Sequence, residues 1–348
     1  MSDDAAQVAG EGSGEAYTLL GGQPRRLVEV YDAAFIDLDG VVYTGEDPVP
    51  GAVEALAGVR RAGLRVVFVT NNASRTPAEV AGHLARLGIA ATDGDVVTSA
   101  QAAARQMADL VPPGSAVLVV GGGGLVEAVR ERGLRPVVDD GDHPAAVVSG
   151  FHPDVGWRLL AEGTFAVRRG VPWVSCNDDL TLPTPRGPAP GNGALVEVIR
   201  SATGREPVVA GKPYPPLHEE AVRRTSARRP LVVGDRLDTD VEGAVRAGVD
   251  SLLVLTGLSS AADLVEAPPH RRPRYVGRDL AAVEVAHPGA VRSDDGWTCG
   301  GWYASVSRGE VVLRGCGDAL DGLRAVLAAT WSAPGKVRAE DAVRRLGW

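Results

Sequence analysis

The sequence predicts an α/β protein built on a doubly wound, largely parallel sheet, with an inserted α/β domain and a small C-terminal α/β extension. Short apolar runs typical of buried strands alternate with helical stretches from about residue 28 to residue 290. Polar clusters follow several of these runs, and ligands of such sheets bind at the carboxyl ends of the strands. The length of 348 residues suits about two domains of roughly 150 residues each.

Composition narrows the classes of function. Apolar residues make up 45% of the chain and charged residues 23%, and the net charge of −8 argues against a nucleic-acid-binding protein. No apolar stretch approaches the roughly 18 residues that a membrane span needs. Residues 1–27 are acidic and rich in Gly and Ala, and they are predicted to form a disordered leader, not a signal peptide. Three Cys without a CxxC pair fit a reducing compartment, so we expect a cytoplasmic protein.

The elements follow in order along the chain. The run VYDAAFIDLDG contains the first buried strand, and GAVEALAGVRRAG is a helix that stops at glycine. LRVVFVTNN is the second strand, and TPAEVAGHLARLG is a helix with Thr76 as N-cap, Pro77 at its first position and Gly88 as its stop. Helical stretches alternate with most of the later strands, which indicates a largely parallel sheet. Those strands are predicted at 116–121, 145–150, 171–177, 207–211, 230–235 and 251–257.

Four strands end in clusters that suit phosphoryl chemistry when they are brought to one edge. DLDG follows the first strand, TNN the second, GKP a later one and GDRLDTD the last of the four. Asp37 and Asp39 are two positions apart, and Gly40 lets the chain turn so that both carboxylates converge on a ligand. If these two Asp residues were considered without the other motifs, a hydrogen-bonded turn would be enough to explain them. Near a ligand, one carboxylate can be a nucleophile and the other a general acid/base.

Lys212 and a metal ion would supply the positive charge that a phosphate dianion needs beside carboxylates. Only two of the 36 Lys and Arg residues are Lys, so a retained Lys212 indicates a position for a compact point charge. Mg²⁺ takes few protein carboxylates, which suits Asp37, Asp235 and a backbone carbonyl near Asp39. The Thr70 hydroxyl can donate to phosphoryl oxygens, where charge stabilisation matters most.

The segments DLDGVVYTGEDPVPGA, VTNN, AGKP and GDRLDTD resemble, in this order, the four motifs of the haloacid dehalogenase superfamily of phosphatases. The resemblance covers roughly residues 28–290 and implies the Rossmann-like core of that superfamily. The extended first motif is similar to the NagD-like subfamily, which includes nucleotidases, p-nitrophenyl phosphatases and phosphoglycolate phosphatases. VTNNASR, DVVTSAQ and VVGDRLDTD further resemble the glycerol-3-phosphate phosphatases of mycobacteria.

This resemblance implies roles for the site residues. Asp37 would attack phosphorus, and Asp39 would act as general acid and then as general base. The catalytic set implied is Asp37, Asp39, Thr70 and Lys212. The implied substrate contacts are Thr70, Asn71, Asn72, Asn177 and Lys212, of which Asn177 could equally brace a hinge. The implied metal ligands are Asp37, Asp39 and Asp235, with Asp240 ordering a water or the loop behind them and Asp238 expected to cap the next helix.

Motif spacing locates the inserted domain. Asp37 and Thr70 are 33 positions apart, which leaves room for one helix and one strand. Thr70 and Lys212 are 142 positions apart, so the resemblance implies a cap domain in this interval that closes over the site. The expected division is a leader at 1–27, a core at 28–99 and 206–290, a cap at 100–205 and an extension at 291–348.

Two glycine-rich passages are not interpreted as cofactor sites. GGGG at 121–124 lacks the spacing and the acidic partner of a dinucleotide loop. The extension resembles part of an acetyltransferase fold, but RGCG at 314–317 is one residue short of a pyrophosphate loop. The passage 296–317 is predicted to form two strands joined by an Arg-Gly turn, followed by two helices. We expect the extension to serve packing or dimerisation.

These observations predict a Mg²⁺-dependent phosphatase of small phosphorylated metabolites, with neither a nucleic acid nor a membrane as partner. Glycerol 3-phosphate is the expected substrate. A broad aryl-phosphate or nucleotide phosphatase, or a phosphoglycolate phosphatase, is the enzymatic alternative. A phosphate-ester sensor is the non-enzymatic alternative, and the intact Asp37 and Asp39 argue against it.

Overall fold

A computed structural model describes residues 20–184 and 186–348. Its strands are β1 (Ala33–Ile36), β2 (Tyr43–Thr44), β3 (Asp47–Pro48), β4 (Arg65–Thr70), β5 (Val96–Thr98), β6 (Ala116–Val120), β7 (Arg135–Val137), β8 (Ala146–Ser149), β9 (Trp173–Ser175), β10 (Thr181–Leu182), β11 (Ala189–Pro190), β12 (Val208–Val209), β13 (Pro230–Gly234), β14 (Asp250–Val254), β15 (Tyr275–Gly277), β16 (Val291–Ser293), β17 (Gly296–Cys299), β18 (Trp302–Ser307) and β19 (Glu310–Gly315). Its α-helices are α1 (Ala52–Arg61), α2 (Pro77–Arg86), α3 (Ser99–Leu110), α4 (Gly123–Glu131), α5 (Trp157–Arg168), α6 (Asn192–Thr203), α7 (Pro215–Thr225), α8 (Glu242–Ala247), α9 (Ala261–Glu266), α10 (Ala319–Trp331) and α11 (Glu340–Arg345).

The core is a six-stranded parallel sheet in the order β15-β14-β13-β1-β4-β5. Side chains of β1 alternate between its two faces, so that Ile36 joins one apolar cluster and Phe35 the other. Both faces are therefore buried, which explains why this strand reads as a continuous apolar run. The predicted α/β class with a parallel sheet is confirmed.

Helix α2 begins where the sequence predicts. The Thr76 hydroxyl accepts a hydrogen bond from the amide of Glu79, and the Glu79 carboxylate accepts one from the amide of Thr76. Pro77 occupies the first turn and Gly88 follows the helix with a φ of +83°. These caps fix the helix that follows the second motif strand.

A second parallel sheet is inserted between β5 and β13, in the order β12-β9-β8-β6-β7. Its strands lie between Ala116 and Val209, so the sheet extends a few residues past the expected cap limit of 205. The limits of 100 and 205 for the cap remain predictions.

The extension contains an antiparallel sheet, β16-β17-β18-β19, against which α10 packs. The expectation of two strands in 296–317 was wrong, because this passage holds three, and β16 pairs beside them. The turn that was missed is Gly300–Gly301, and Gly300 adopts a φ of +56°. The predicted Arg-Gly turn at Arg308–Gly309 joins β18 to β19.

The expected leader differs from the structure over its last residues. Leu20 is buried, Gln23 donates from its amide to the carbonyl of His287 at 2.7 Å, and Leu27 is fully buried. Residues 1–19 of the expected leader lie outside the described residues. Within 20–184 and 186–348, no helix is long and apolar enough to cross a membrane.

Candidate active site

The loop after β1 carries Asp37 and Asp39 to the carboxyl end of the sheet. The Asp37 amide donates to the carbonyl of Val233 at 2.8 Å, which extends the pairing of β1 with β13 by one residue. Gly40 has a φ of +83°, and a Cβ there would lie 2.7 Å from Asp235 Oδ2. A side chain at position 40 would therefore displace Asp235, and the turn brings Asp37 and Asp235 together.

Lys212 is only 3% exposed and follows β12, which belongs to the inserted sheet. The expectation that four strands of one sheet deliver the site was therefore wrong for Lys212, which comes to the core edge from the second sheet. Its Nζ donates to Asp37 Oδ1 at 2.6 Å and to Asp240 Oδ1 at 2.7 Å. The third hydrogen bond goes to the carbonyl of Val69 at 3.1 Å. An ammonium group has three donors, and all three have acceptors in different directions. This geometry matches the point charge expected from the scarcity of Lys.

The carboxylates of Asp37, Asp235 and Asp240 offer oxygens that all lie within 4.8 Å of one another. Asp235 Oδ2 accepts from the amide of Leu258 at 2.7 Å, whereas Asp235 Oδ1 is buried and has no hydrogen-bond partner among the described residues. An unpartnered buried carboxylate oxygen among three carboxylates fits a hard divalent cation. The side chain of Asp39 is not part of this cluster, whereas Asp240, expected behind the metal, is.

The electrostatics of the cluster show an excess of negative charge. Burial raises the pKa of Asp37, Lys212 opposes the rise, and Asp240 and Asp235 add to it. Burial and the charge of Asp240 raise the pKa of Asp235 to about 6. Burial acts to lower the pKa of Lys212, but Asp240 and Asp37 outweigh it and raise that pKa. One lysine does not balance three carboxylates.

Thr70 and Asn72 follow β4 at the same edge. Thr70 is 3% exposed, and its Oγ1 accepts from the amide of Asn72 at 3.1 Å, which leaves the hydroxyl hydrogen to donate. Asn72 Oδ1 accepts from both the amide and the hydroxyl of Ser74, at 2.9 and 2.7 Å. Asn72 thus shapes the turn with its side-chain oxygen.

Asn71 joins the core to the chain that returns from the cap. Its Nδ2 donates to Asp179 Oδ2 and to the carbonyl of Lys212, both at 3.0 Å, and its Oδ1 accepts from the Lys212 amide at 2.8 Å. Both side-chain hydrogens are used within the protein. The expected substrate contact of Asn71 therefore has no spare side-chain donor. Asn177 Nδ2 donates to the carbonyl of Asn71 at 2.7 Å, which favours the hinge brace over the substrate contact.

Arg236 connects the fourth motif to residues 176–180, which lie between β9 and β10 and are called the return segment below. Its Nη1 lies 3.1 Å from Asp179 Oδ1, and its Nε and Nη2 donate to the Asp238 carboxylate at 3.0 and 2.9 Å. Asp238 therefore pairs with Arg236. The expectation that Asp238 caps the next helix was wrong, because Val241 occupies the N-cap position of α8. The Arg236 amide donates to Asp240 Oδ2 at 3.1 Å, which orients Asp240 toward Lys212.

Known proteins resemble this chain over most of its length. The family model described as haloacid dehalogenase-like hydrolase matches residues 34–135, and one described as HAD-hydrolase-like matches residues 209–283. D-glycerol 3-phosphate phosphatase of Mycobacterium tuberculosis is 49% identical over 314 residues, which cover 89% of this chain and 88% of that protein. The chain belongs to the haloacid dehalogenase-like hydrolases.

Other relatives of this hydrolase confirm the predicted subfamily. The 5′-nucleotidase YutF of Bacillus subtilis is 37% identical over 70% of this chain and 95% of that protein. The crystal structure of glycerol phosphate phosphatase from M. tuberculosis in complex with magnesium has a TM-score of 0.85 at 46% identity, covering 92% of this chain and 98% of that chain. The p-nitrophenyl phosphatase from Archaeoglobus fulgidus has a TM-score of 0.68 at 30% identity, over 73% and 98% of the two chains. A GCN5-related N-acetyltransferase like domain matches residues 299–348.

A cleft of about 470 Å³ lies beside the fourth motif of this hydrolase, and its lining does not include Asp37, Asp39, Thr70, Lys212 or Asp235. Its wall includes Leu258, whose amide contacts Asp235, and Arg236, which pairs with the return segment. Thr181 of β10, with Pro183 and Pro188 of the loop between β10 and β11, forms another wall. Its lining includes Thr181, Pro183, Arg236, Asp238, Leu258 and Arg271.

Sequence reasoning missed Arg236 and His83 in this haloacid dehalogenase-like hydrolase. Arg236 pairs with Asp179, 57 positions away, and no local pattern marks such a contact. His83 was set aside with the other scattered histidines, although it lies buried against Tyr43 of the first motif. The sequence predicts that His83 lies on α2, three residues before the end of that helix, but it does not predict the contact of His83 with Tyr43.

Proposed function

We propose that this hydrolase is a Mg²⁺-dependent phosphatase that cleaves a small phosphate monoester through an aspartyl-phosphate on Asp37. The observation that carries the proposal is the cluster in which Lys212 joins Asp37 to Asp240, with Asp235 beside them. A buried lysine among three carboxylates at the end of a parallel sheet suits phosphoryl transfer, which needs positioning and charge balance more than covalent chemistry from many residues.

The proposed reaction has two steps. An oxygen of Asp37 attacks phosphorus, a new P–O bond forms, and the bond from phosphorus to the ester oxygen breaks while Asp39 gives its proton to the leaving alkoxide. Asp39 then takes a proton from a water that attacks phosphorus, and the bond to Asp37 breaks to release inorganic phosphate. Burial raises the pKa of Asp39, which favours the protonated form that the first step requires.

Mg²⁺ would be held by Asp37, Asp235 and the main-chain carbonyl of Asp39, with Asp240 next to them. When bound, it would offset the combined negative charge of the carboxylates and the phosphoryl oxygens. The unpartnered Oδ1 of Asp235 supports this assignment, as does the magnesium in the solved structure of the M. tuberculosis relative.

The phosphoryl group would be held by the Thr70 hydroxyl and by the main chain of Asn71. Lys212, whose three hydrogens already bond within the site, would attract it by its positive charge. The side chains of Asn71 and Asn177 instead fix the return segment, which keeps Lys212 in place. Asn72 would stay within reach of the substrate through its exposed side chain. This assignment narrows the side-chain contacts from the five residues first expected to Thr70 and Asn72, with Lys212 acting by its charge.

Glycerol 3-phosphate is the proposed substrate, because the relative of that activity is 49% identical and matches 89% of this chain. The nucleotidase and p-nitrophenyl phosphatase relatives define the alternative of a broad nucleotide or aryl-phosphate phosphatase, and they match only 70% and 73% of the chain.

The decisive experiment compares the wild type with Asp37→Asn on a panel of glycerol 3-phosphate, nucleoside monophosphates, phosphoglycolate and p-nitrophenyl phosphate, with Mg²⁺. We expect glycerol 3-phosphate to show the highest kcat/KM. Asp37→Asn should reduce turnover by about 10⁴-fold or more, because no other group can form the covalent intermediate. Equal turnover by Asp37→Asn would contradict the mechanism, and binding without turnover by the wild type would favour a sensor.

We further propose a cytoplasmic enzyme whose extension serves packing, within the chain or between two copies. The N-terminus of α10 supports a packing role, because the Asp318 carboxylate accepts from the amide of Leu320 at 2.7 Å and pairs with Arg278 at 2.8 Å. A carboxylate at this helix N-terminus disfavours the binding of a second anion, such as a pyrophosphate, at the same place. Light scattering of the purified chain tests for the homodimer.

A further inference from the structure

His83 on α2 is 1% exposed, and the proposed mechanism leaves it without a role. Its Nδ1 lies 3.2 Å from Arg86 Nη2 and 3.8 Å from the exposed carboxylate of Glu46. Arginine can only donate, so Nδ1 is the acceptor and a neutral ring carries its hydrogen on Nε2. Among the described residues, Nε2 has no hydrogen-bond partner. A buried donor without an acceptor is costly, so a role in packing alone does not account for a histidine here.

The imidazole of His83 lies edge-on to the ring of Tyr43, with centroids 4.8 Å apart and planes at 86°. Tyr43 is buried, and its carbonyl accepts a hydrogen bond from the amide of Gly40 at 2.8 Å. A bridge between Asp39 and Tyr43 closes the same turn. The position of Tyr43 therefore sets the turn from which the Asp39 side chain projects.

From this chain of contacts we infer that His83 is a positioning residue for the general acid/base, holding Asp39 in its reactive orientation through Tyr43 and the Asp39–Tyr43 turn. The inference rests on the proposed phosphatase mechanism. It predicts that His83 affects proton transfer and leaves the binding of the phosphoryl group at Lys212 and Thr70 unchanged.

Charges around Asp39 agree with this placement. Burial raises the pKa of Asp39, and the charges of Lys212 and Arg75 oppose the rise in that order. Tyr43 is close enough to Asp39 and Asp37 for burial and both carboxylates to raise the pKa of its hydroxyl. The Tyr43–His83 pair therefore lines the side of the site that holds the acid/base.

The test is a double-mutant cycle on glycerol 3-phosphate with Mg²⁺, using His83→Phe, Asp39→Asn and the double variant. His83→Phe keeps a ring against Tyr43 but removes Nδ1, so Arg86 no longer fixes the orientation of that ring. We expect it to lower kcat by about tenfold with KM changed less than about twofold, as a small misplacement of a reacting group does. Asp39→Asn should lower kcat by about 10²–10⁴-fold. In that background, His83→Phe should cost less than about a further twofold, because the group that it positions is already lost.

Radiolabelled substrate keeps the residual turnover of the double variant measurable. Wild-type kcat in His83→Phe, or the same loss with and without Asp39, would overturn the inference and leave the proposed function intact. A full kcat in Asp39→Asn would instead overturn the acid/base assignment itself. His83→Gln, whose side-chain oxygen can accept from Arg86 in place of Nδ1, should recover part of kcat, and it serves if the Phe variant does not fold.

His287 provides the matched control. It is another buried histidine packed against a tyrosine, with its ring 5.1 Å from that of Tyr275, and it lies against the C-terminal extension. His287→Phe should leave kcat within about twofold of the wild type for the folded protein. A loss equal to that of His83→Phe would indicate a general effect of removing buried imidazoles and would contradict the inference.

Discussion

His218 lies behind Lys212, on helix α7, with both ring nitrogens buried and without a hydrogen-bond partner among the described residues. Burial lowers its pKa to about 4, and the positive charge of Lys212 contributes, while Asp240 opposes the shift. A Cβ at Gly243 would lie 2.8 Å from the imidazole, so the ring fills the space that this glycine leaves. The ring therefore packs in its neutral form beside Lys212, because burial and the charge of that lysine both disfavour a second cation there.

This arrangement makes part of the stability depend on pH. Between the pKa of about 4 in the folded protein and the ordinary value of 6.5, the unfolded chain binds a proton that the folded protein does not. The free energy of unfolding should therefore fall as pH drops through this window, by about 3 kcal/mol for this group. His218→Gln should lose that portion of the slope. Urea unfolding at a series of pH values, with EDTA throughout, measures it, and parallel curves for the two proteins would refute the assignment.

Elements with strong local signals were predictable from the sequence, and elements set by partners across the fold were not. The limits of α2 followed from Thr76, Pro77 and Gly88, which act within one turn of the helix. The extra turn at Gly300–Gly301 was missed because a glycine pair inside a strand-like run fits a bulge or a turn equally well. Pairing of β17 with β18 decides between them, and that pairing is not a local property.

The run GGGG at the start of α4 also makes a contact across the fold that the local sequence does not predict. A Cβ at Gly124 would lie 2.7 Å from the main chain of Arg75, and the Gly124 amide donates to the carbonyl of Ser74 at 3.4 Å. The glycine thus lets α4 approach the loop that follows Thr70. This close approach explains a glycine here without a dinucleotide site.

Gly124→Ala should separate these two backbones, since neither can move as a side chain can. We expect kcat/KM for glycerol 3-phosphate to fall by about tenfold or more, because a shift of about 1 Å in the phosphate-binding loop misaligns the reacting atoms. Gly123→Ala is the matched control, because a Cβ at Gly123 meets nothing within 4 Å. Equal activity of the two variants would show that the cap and the core do not need this contact.

Across the whole molecule, the set of residues at the site was more predictable than the connections among them. Parallel strands of one sheet end at one edge, so Asp37 and Asp235 had to lie close together once the fold class was known. Lys212 follows β12 of the inserted sheet, and its place beside them depends on how the two sheets meet. The contacts of Asn71 and Arg236 with Asp179 depend on how the cap returns to the core, which motif spacing does not specify. The contact between the extension and the core was not predictable either. The strands and helices of the extension form one apolar cluster with Leu253 and Val276 of the core sheet.

Substitution of Trp331 tests whether that cluster makes the extension and the core unfold together. Trp331 is 6% exposed, its Nε1 donates to the carbonyl of Leu264 at 3.0 Å, and the guanidinium of Arg272 lies 5.0 Å from its ring. Trp331→Ala should lower the free energy of unfolding by about 3–5 kcal/mol, the usual cost of truncating a buried aromatic residue. Trp157, 77% exposed, is the control, and Trp157→Ala should change it by less than about 0.5 kcal/mol.

The shape of the unfolding transition distinguishes two architectures for the extension. If it belongs to the core, Trp331→Ala should shift a single transition in urea, seen alike by circular dichroism and by loss of phosphatase activity. If it is an independent domain, the variant should show an early transition in circular dichroism at which activity persists. We expect the first result, because Trp331, Arg324 and Arg278 each bond or pair across the boundary between extension and core.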